Sequence, residues 1–337
     1  MRGDKQIIEQ CKDFVLLRMT YLRDANIALF DYDYDMTWMS FFLDADGRVY
    51  SRYGSRNSTS ADSHNSAAGL LNTMRAVLAV HKEESARTRP SYQPPRKKPS
   101  DIPAYNKMYG GSCGRCHMLN EAKWEQQRLD GTMKEGAFFF FPLPENIGIK
   151  LDLTQGNRIK AIFKDSFAEK SGLKPNDTIR FANGTRILTT ADMQSVLDKM
   201  KPESKLTVDA ERDGQPLQVV LELSGNWRAS DVSWRKSVRV RAFFNDFTRY
   251  LAPLAPSDKA KLGLEPEKIA YRLSDIKGDV QKAGFLKSDI ILALDGKRQL
   301  PLRNPHYYPL IEHKSGDTME VTVLRDGKEL TMPLRIP

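Results

Sequence analysis

The chain has 337 residues and a mass of 38.3 kDa, enough for two or three domains of roughly 100 to 200 residues each. Hydrophobic residues make up 40% of the chain and charged residues 28%, which excludes wholesale disorder and a small disulfide-stapled fold. The formal net charge is +9, with basic clusters around Arg87 to Lys98 and Arg228 to Arg241. Neither cluster lies in a nucleic-acid-binding motif, so we predict no nucleic-acid partner.

Residues 1–85 predict a small α/β domain of three strands and one helix. Apolar runs mark the strands, an Asp-Ala-Asp-Gly turn joins the last two, and apolar residues at helical spacing mark the helix. We expect the strands at Phe14–Met19, Trp38–Leu43 and Arg48–Tyr53 and the helix at residues 66–81.

The order of these elements, with the run Thr37–Val49, resembles the thioredoxin-like fold. The redox cysteine pair of that family would precede Phe14, and Met36 or Thr37 occupies the place of its cis-proline. The resemblance therefore implies a thioredoxin-like scaffold whose redox motif is absent. Cys11, on the leading helix, is expected to be a buried apolar side chain.

Residues 86–110 contain several prolines among basic residues and no apolar periodicity, which is typical of a linker. The linker leads into Cys113, Cys116 and His117, a Cys-x-x-Cys-His motif. Two thiols at this spacing can add to both vinyl groups of one haem, and the adjacent histidine can then ligate the iron. The motif therefore predicts a covalently attached haem c, with His117 as the iron ligand.

Three other interpretations of this motif stay open. A redox dithiol normally opens a helix that follows a strand, whereas this pair follows a glycine-rich loop. A zinc site would need further ligands from isolated histidines, and chance is the third explanation. If haem is attached, residues 86–135 carry it, and Met108 and Met133 are candidates for the second axial ligand.

Residues 136–337 contain an internal repeat. Residues 168–184 align with residues 280–296 at a constant offset of 112, and a later Arg-Asp-Gly turn recurs at an offset of 113. Because the aligned segments span a whole domain, we predict two homologous domains, at 136–225 and 226–337.

The repeated pattern of a short helix ending in Ala-Gly or Ser-Gly, an x-Asp turn, a strand and an Asx-Gly turn resembles bacterial PDZ domains, most closely in the first copy. The resemblance implies a groove in which an extended peptide adds as a strand beside residues 149–153 and places its carboxylate at the preceding loop. The predicted peptide-binding residues are Asn146, Ile147, Gly148 and Ile149. In the second copy Lys261–Leu264 is the equivalent loop, and the proline-aromatic run Pro301–Pro309 precedes its groove helix.

Together these patterns predict an α+β multidomain protein with a thioredoxin-like α/β domain, a short haem-binding linker segment and two PDZ-like β-barrel or sandwich domains. The leading hypothesis is a c-type haem electron-transfer or redox protein, its redox partner unknown, whose PDZ domains bind a protein or peptide C-terminus. One alternative is a haem-free PDZ adaptor, and another is a thiol-disulfide factor that uses Cys113 and Cys116. The sequence offers no protease triad and no intact thioredoxin active site, so no catalytic residue is predicted.

The same motif sets an expectation for location. Haem is joined to thiols outside the cytoplasmic membrane, as the resemblance to c-type cytochromes implies, so we expect a periplasmic or otherwise extracytoplasmic protein. Residues 1–5 show no signal-peptide pattern, and the expectation therefore includes a longer precursor. No apolar run approaches the roughly 18 residues of a membrane span.

Overall fold

The computed structural model describes residues 4–85, 92–110, 115–133, 136–232, 234–238, 246–300, 308–313 and 316–336. The chain divides into two compact units. The first consists of residues 1–129 and 139–232, and the second of residues 130–138 and 233–337. No helix in the described ranges is long and apolar enough to cross a membrane.

The N-terminal part of the first unit is a two-stranded antiparallel sheet packed with helices. The hairpin turn forms because the Asp44 carboxylate accepts hydrogen bonds from the amides of Asp46 (3.0 Å) and Arg48 (2.8 Å). The elements are α1 (Lys5–Gln10), β1 (Ser40–Leu43), β2 (Val49–Tyr53), α2 (Ala67–Ser85), α3 (Pro103–Tyr109) and α4 (Cys116–Leu129).

The predicted strand at Phe14–Met19 is wrong. These residues form neither helix nor strand, and Val15 and Leu17 are 91% and 90% exposed. A short apolar run alone does not distinguish a buried strand from an exposed extended segment. The other predicted strands and the helix α2 are present, but the two-stranded sheet does not show a thioredoxin-like fold.

Two smaller expectations also need correction. Cys11 is half-buried in a short 3-10 helix that follows α1, rather than fully buried on a helix face. The predicted linker contains the ordered helix α3, which begins at Pro103 and buries Ala104 and Tyr105. Proline is favoured in the first turn of a helix, where its missing N–H leaves no bond unmade. The proline-rich composition therefore concealed a helix start.

The rest of the first unit is a β-rich domain with one groove-forming helix. A β3–β4 hairpin packs with a four-stranded antiparallel sheet of order β6-β5-β7-β8 around one apolar core. The elements are a 3-10 helix (Pro144–Ile147), β3 (Ile149–Leu151), β4 (Ile159–Ile162), α5 (Phe167–Lys170), β5 (Thr178–Ala182), β6 (Thr185–Arg186), α6 (Thr190–Asp198), β7 (Ser204–Arg212) and β8 (Gln215–Leu223).

The second unit contains a β-rich domain with a core of its own. Its described strands form one antiparallel sheet of order β13-β12-β11-β10-β9. The described elements are α7 (Asp246–Arg249), β9 (Leu251–Pro253), α8 (Pro256–Lys261), β10 (Tyr271–Leu273), α9 (Gly278–Lys282), β11 (Ile290–Leu294), α10 (Tyr308–Glu312), β12 (Thr318–Arg325) and β13 (Lys328–Arg335). Most of the proline-aromatic run, residues 301–307, lies outside the described residues.

The two repeats contain the same bidentate ion pair. In the first, the Arg212 guanidinium donates to both carboxylate oxygens of Asp177, each at 2.7 Å. In the second, Arg325 donates to both oxygens of Asp289 at 2.8 and 2.6 Å. Each arginine also donates to a glycine carbonyl just after a short helix. Arg212 donates to Gly172 after α5 at 2.9 Å, and Arg325 donates to Gly284 after α9 at 3.0 Å. The pair therefore ties the end of the first strand of the hairpin, β7 or β12, to the turn after the short helix α5 or α9.

This pair predicts an acid sensitivity of the first repeat. Burial acts to raise the pKa of Asp177, but hydrogen bonds from Arg212 and from the Lys174 amide outweigh it and hold the pKa below its usual value. The folded state therefore binds this proton less readily than the unfolded state, so the pair stabilises the fold near neutral pH. That contribution is lost as the pH falls through the lowered pKa.

We expect Asp177→Asn to weaken the acid dependence of unfolding between about pH 5 and pH 3. Urea unfolding followed by tryptophan fluorescence measures this, because Trp38, Trp124 and Trp227 lie in the first unit. The control is Asp213→Asn, which changes an exposed carboxylate in the adjacent turn. An equal acid dependence in both variants would contradict the assignment.

Candidate functional site

The predicted peptide groove of the first repeat is bordered by β3 and α6. In the described sheets β3 pairs with β4 along one edge, with Ile149 opposite Ile162. An extended peptide would have to add along the other edge, opposite α6. The loop Asn146 to Ile149 and the helix α6 therefore decide what this groove can bind.

The predicted binding loop offers backbone rather than side chains. Ile147 and Ile149 are fully buried in the core of the domain. The Asn146 amide nitrogen donates to the carbonyl oxygens of Arg228 (3.1 Å) and Ala229 (3.4 Å), which lie in the connector after β8. Their roles in binding stay predictions, and a carboxylate could meet this loop only through its main-chain amides.

The structure shows why glycine is needed at position 148, which the sequence did not reveal. Its φ is +93°, in the left-handed region, and an added Cβ would lie 2.1 Å from the Cβ and Oγ of Ser166. Ser166 caps α5 by accepting a hydrogen bond from the Glu169 amide. A larger residue at position 148 would therefore displace the start of α5, so its effect would not be confined to peptide approach.

Helix α6 is buried on all sides, from Thr190 to Leu197. Met193, Val196 and Leu197 face the core of the domain, as the apolar spacing predicts. The polar residues between them are buried as well, because the N-terminal part of the same unit packs on the outer face of the helix. The sequence did not indicate this contact, since polar residues on a helix usually face water.

The packing on α6 centres on Asp192. Its carboxylate accepts hydrogen bonds from the Ser51 hydroxyl (2.7 Å), the Arg52 amide (2.8 Å) and the Leu188 amide (3.1 Å). Burial raises the pKa of Asp192 despite these bonds. The Thr189 hydroxyl, which caps α6, also donates to the Arg52 carbonyl at 2.5 Å. Strand β2 is thus bonded directly to the groove helix.

The Cys-x-x-Cys-His motif lies at the start of α4, but Cys113 falls outside the described residues. Cys116 is half-buried, and its sulfur accepts a hydrogen bond from the Tyr32 hydroxyl at 3.7 Å. Burial and the neighbouring thiol raise the pKa of Tyr32, so the phenol stays protonated. Within the described residues no group of three or more His, Cys, Asp or Glu side chains is placed to bind a metal ion.

His117 has one ring nitrogen bonded and one without a partner. Its Nδ1 lies 2.7 Å from Glu121 Oε1, and Glu121 Oε2 accepts a hydrogen bond from the Tyr109 hydroxyl. Its Nε2 is buried and has no hydrogen-bond partner among the described residues. A carboxylate at Nδ1 favours the tautomer whose proton is on that nitrogen, which leaves the Nε2 lone pair to ligate or accept. The role of this atom as an iron ligand stays a prediction.

The contact of Glu121 with His117 was not predicted, although the sequence spacing indicates it. Glu121 follows His117 by four positions on a helix, a spacing that places two side chains on one face. The two methionines predicted as second axial ligands stay predictions. Met108 lies in α3, and Met133 follows α4.

With this geometry established, the family can be assigned to the repeats. The PDZ domain family model matches residues 146–223 and 261–336. The chain contains two PDZ domains. This confirms the predicted pair of PDZ-like repeats, and the two matches place both Asp–Arg ion pairs inside PDZ domains.

The similar full-length proteins are longer than this chain. Over 199 residues the chain is 27% identical to the "Probable periplasmic serine endoprotease DegP-like" of Marinomonas sp. (strain MWYL1), covering 58% of this chain and 39% of that protein. Over 75 residues it is 35% identical to the "Periplasmic serine endoprotease DegP" of Escherichia coli (strain K12), covering 22% and 16%. The chain thus spans less than half the length of these relatives.

Among solved structures, the serine endoprotease from Yersinia pestis matches 23% of this chain and 28% of that chain. The identity is 22% and the TM-score is 0.21.

The geometry around Gly148 yields a test of stability. We expect Gly148→Ala to destabilise the first PDZ domain by roughly 1–3 kcal/mol or more, because it adds a steric clash to the cost of the left-handed backbone. The control is Gly172→Ala, whose φ is +84° but whose Cβ would meet nothing within 4 Å. Urea unfolding of both variants separates the clash from the backbone cost, and equal losses would show that the contact with Ser166 is unimportant.

Proposed function

We propose that this chain is an extracytoplasmic adaptor whose PDZ domains bind the C-terminus of a partner protein. The observation that carries the proposal is the presence of two PDZ domains in one chain. PDZ domains bind an extended peptide by strand addition, with main-chain bonds for affinity and side-chain pockets for specificity. Two such modules can also hold one partner more tightly than either module alone, if both sites are reached together.

The proposed location rests on the relatives. Both the Marinomonas and the Escherichia coli proteins are named as periplasmic. Their endoprotease activity is not transferred, because the matches cover 39% and 16% of their lengths. An adaptor needs only binding modules, and the PDZ family model matches residues 146–223 and 261–336 of this chain.

Recognition of a C-terminus can be tested with matched ligands. We expect the full chain to bind a subset of peptides with a free C-terminal carboxylate about tenfold or more tightly than the same peptides with an amidated end. The reason is that hydrogen bonds to a charged group contribute roughly 1.5–3 kcal/mol. Fluorescence anisotropy over a C-terminal peptide library measures this, and equal affinity for both forms of every peptide would refute the proposal.

A second candidate function is haem attachment at Cys113 and Cys116, with His117 as an iron ligand. The observation that favours it is the buried, unpartnered Nε2 of His117, whose ring is held at Nδ1 by Glu121. A histidine that ligates a metal commonly donates its other ring N–H to a carboxylate, which fixes the ring and its tautomer. Bound haem would supply one-electron redox chemistry.

Haem attachment is tested on protein matured in a periplasm together with c-type maturation machinery. If the candidate is correct, intact mass and a pyridine haemochrome spectrum will show one covalent haem, and Cys116→Ser will lose the bond to that thiol. Cys11→Ser is the control, because Cys11 lies outside the motif and should leave the spectrum unchanged. A protein without haem whose Cys113 and Cys116 form a disulfide would instead favour the thiol-disulfide alternative.

A further inference from the structure

We propose that the groove of the first PDZ domain is closed by the chain's own residues 51–66, here called the covering segment. A peptide would enter this groove only after the covering segment is displaced. The inference rests on the proposed function, because it concerns access to the same peptide-binding groove.

The covering segment first occupies the helix side of the groove. Besides the bonds from Ser51 and Arg52 to Asp192, the Ser55 hydroxyl donates to Gln194 Oε1 at 2.7 Å. Gln194 in turn donates to the Phe141 carbonyl at 2.8 Å, just before the predicted binding loop. Ser55 is 1% exposed and Gln194 is 6% exposed. Ser55 is therefore bonded to the flank of α6 that lies towards this loop.

The covering segment also reaches both ends of β3. His64 Nε2 lies 2.8 Å from Glu145 Oε1, in the 3-10 helix immediately before β3. The Ser66 hydroxyl donates to the Leu153 carbonyl, two residues beyond β3, at 3.0 Å. The side chains of His64 and Ser66 are therefore bonded to residues before and after β3.

Asn65 connects the two sides. Its Nδ2 donates to the Ser55 carbonyl at 2.7 Å, and its Oδ1 accepts from the Ser55 amide at 3.1 Å. A continuous set of hydrogen bonds thus runs from Gln194 on α6, through Ser55 and Asn65, to the neighbours of Asn65 that are bonded beside β3. A peptide strand between β3 and α6 would have to break this set.

Beyond the covering segment, the start of α2 also packs closely on the residues after β3. At Gly69, an added Cβ would lie 2.2 Å from the Leu153 carbonyl, so the start of α2 packs directly on the residues after β3. Asn72 on α2 donates to the Thr154 carbonyl at 3.1 Å. These contacts join the start of α2, which follows the covering segment, to the residues after β3.

The test is made on the full chain with the double variant His64→Ala/Asn65→Ala, which removes the bonds from His64 to Glu145 and from Asn65 to Ser55 and substitutes no residue of the PDZ domain. Ser55→Ala is a milder second variant that removes the bond to Gln194. The control is Thr59→Ala, whose hydroxyl bonds to Asn57 within the same loop. A thermal melt establishes that each variant is folded.

Two readouts keep this inference separate from the proposed function. Without ligand, hydrogen exchange across residues 147–153 and 190–198 should be about tenfold faster in the variants than in the wild type and the control. With peptides that have a free C-terminus, binding localised to residues 147–153 should be about tenfold tighter in the variants.

Unchanged exchange, or wild-type binding at residues 147–153 as tight as in the variants, would overturn the closure and leave the adaptor function standing. Faster exchange with no binding of any peptide would support the closure and refute the adaptor function.

Discussion

A buried carboxylate, that of Asp192, is the contact on which the arrangement of the first unit depends. A carboxylate without water is costly unless hydrogen bonds replace its hydration. Two of its three hydrogen bonds come from β2, from the Ser51 hydroxyl and the Arg52 amide. If β2 were separated from α6, Asp192 would lose these two hydrogen bonds and would need water to replace them. The N-terminal elements and the first PDZ domain are therefore parts of one compact unit rather than two independent domains joined by a linker.

Local signals explain which parts of the fold could be predicted. The repeat was readable because the Asp177–Arg212 pair and its copy Asp289–Arg325 need the same residue types at nearly the same spacing. The hairpin at Asp44 was readable because its turn is stabilised by its own side chain. The prediction of a strand at Phe14–Met19 was wrong because burial depends on tertiary contacts, and an apolar run does not show whether another part of the chain packs on it.

The site was only partly readable for the same reason. The loop Asn146 to Ile149 leads into β3, and its role in binding stays a prediction. Its side chains pack in the core or bond to the connector. The contact of α6 with β2 left no trace in the hydrophobic pattern, because it is made by polar groups that lie about 140 residues apart in the sequence. Glu121, by contrast, could have been found from its helical spacing to His117, since that contact is within one helix turn.

A fall in pH changes the contributions of Asp177 and Asp192, two buried aspartates of the first unit, to folding stability in opposite directions. The pKa of Asp177 is lowered, so its contribution to stability is lost as the pH falls. The pKa of Asp192 is raised, so its folded environment favours the protonated form, and that contribution is present at low pH and lost as the pH rises through the raised pKa. Acid would therefore weaken the PDZ fold before it released α6 from β2. Opening the groove without unfolding the domain then requires a competitor that replaces the hydrogen bonds of the covering segment, which is what a peptide strand offers.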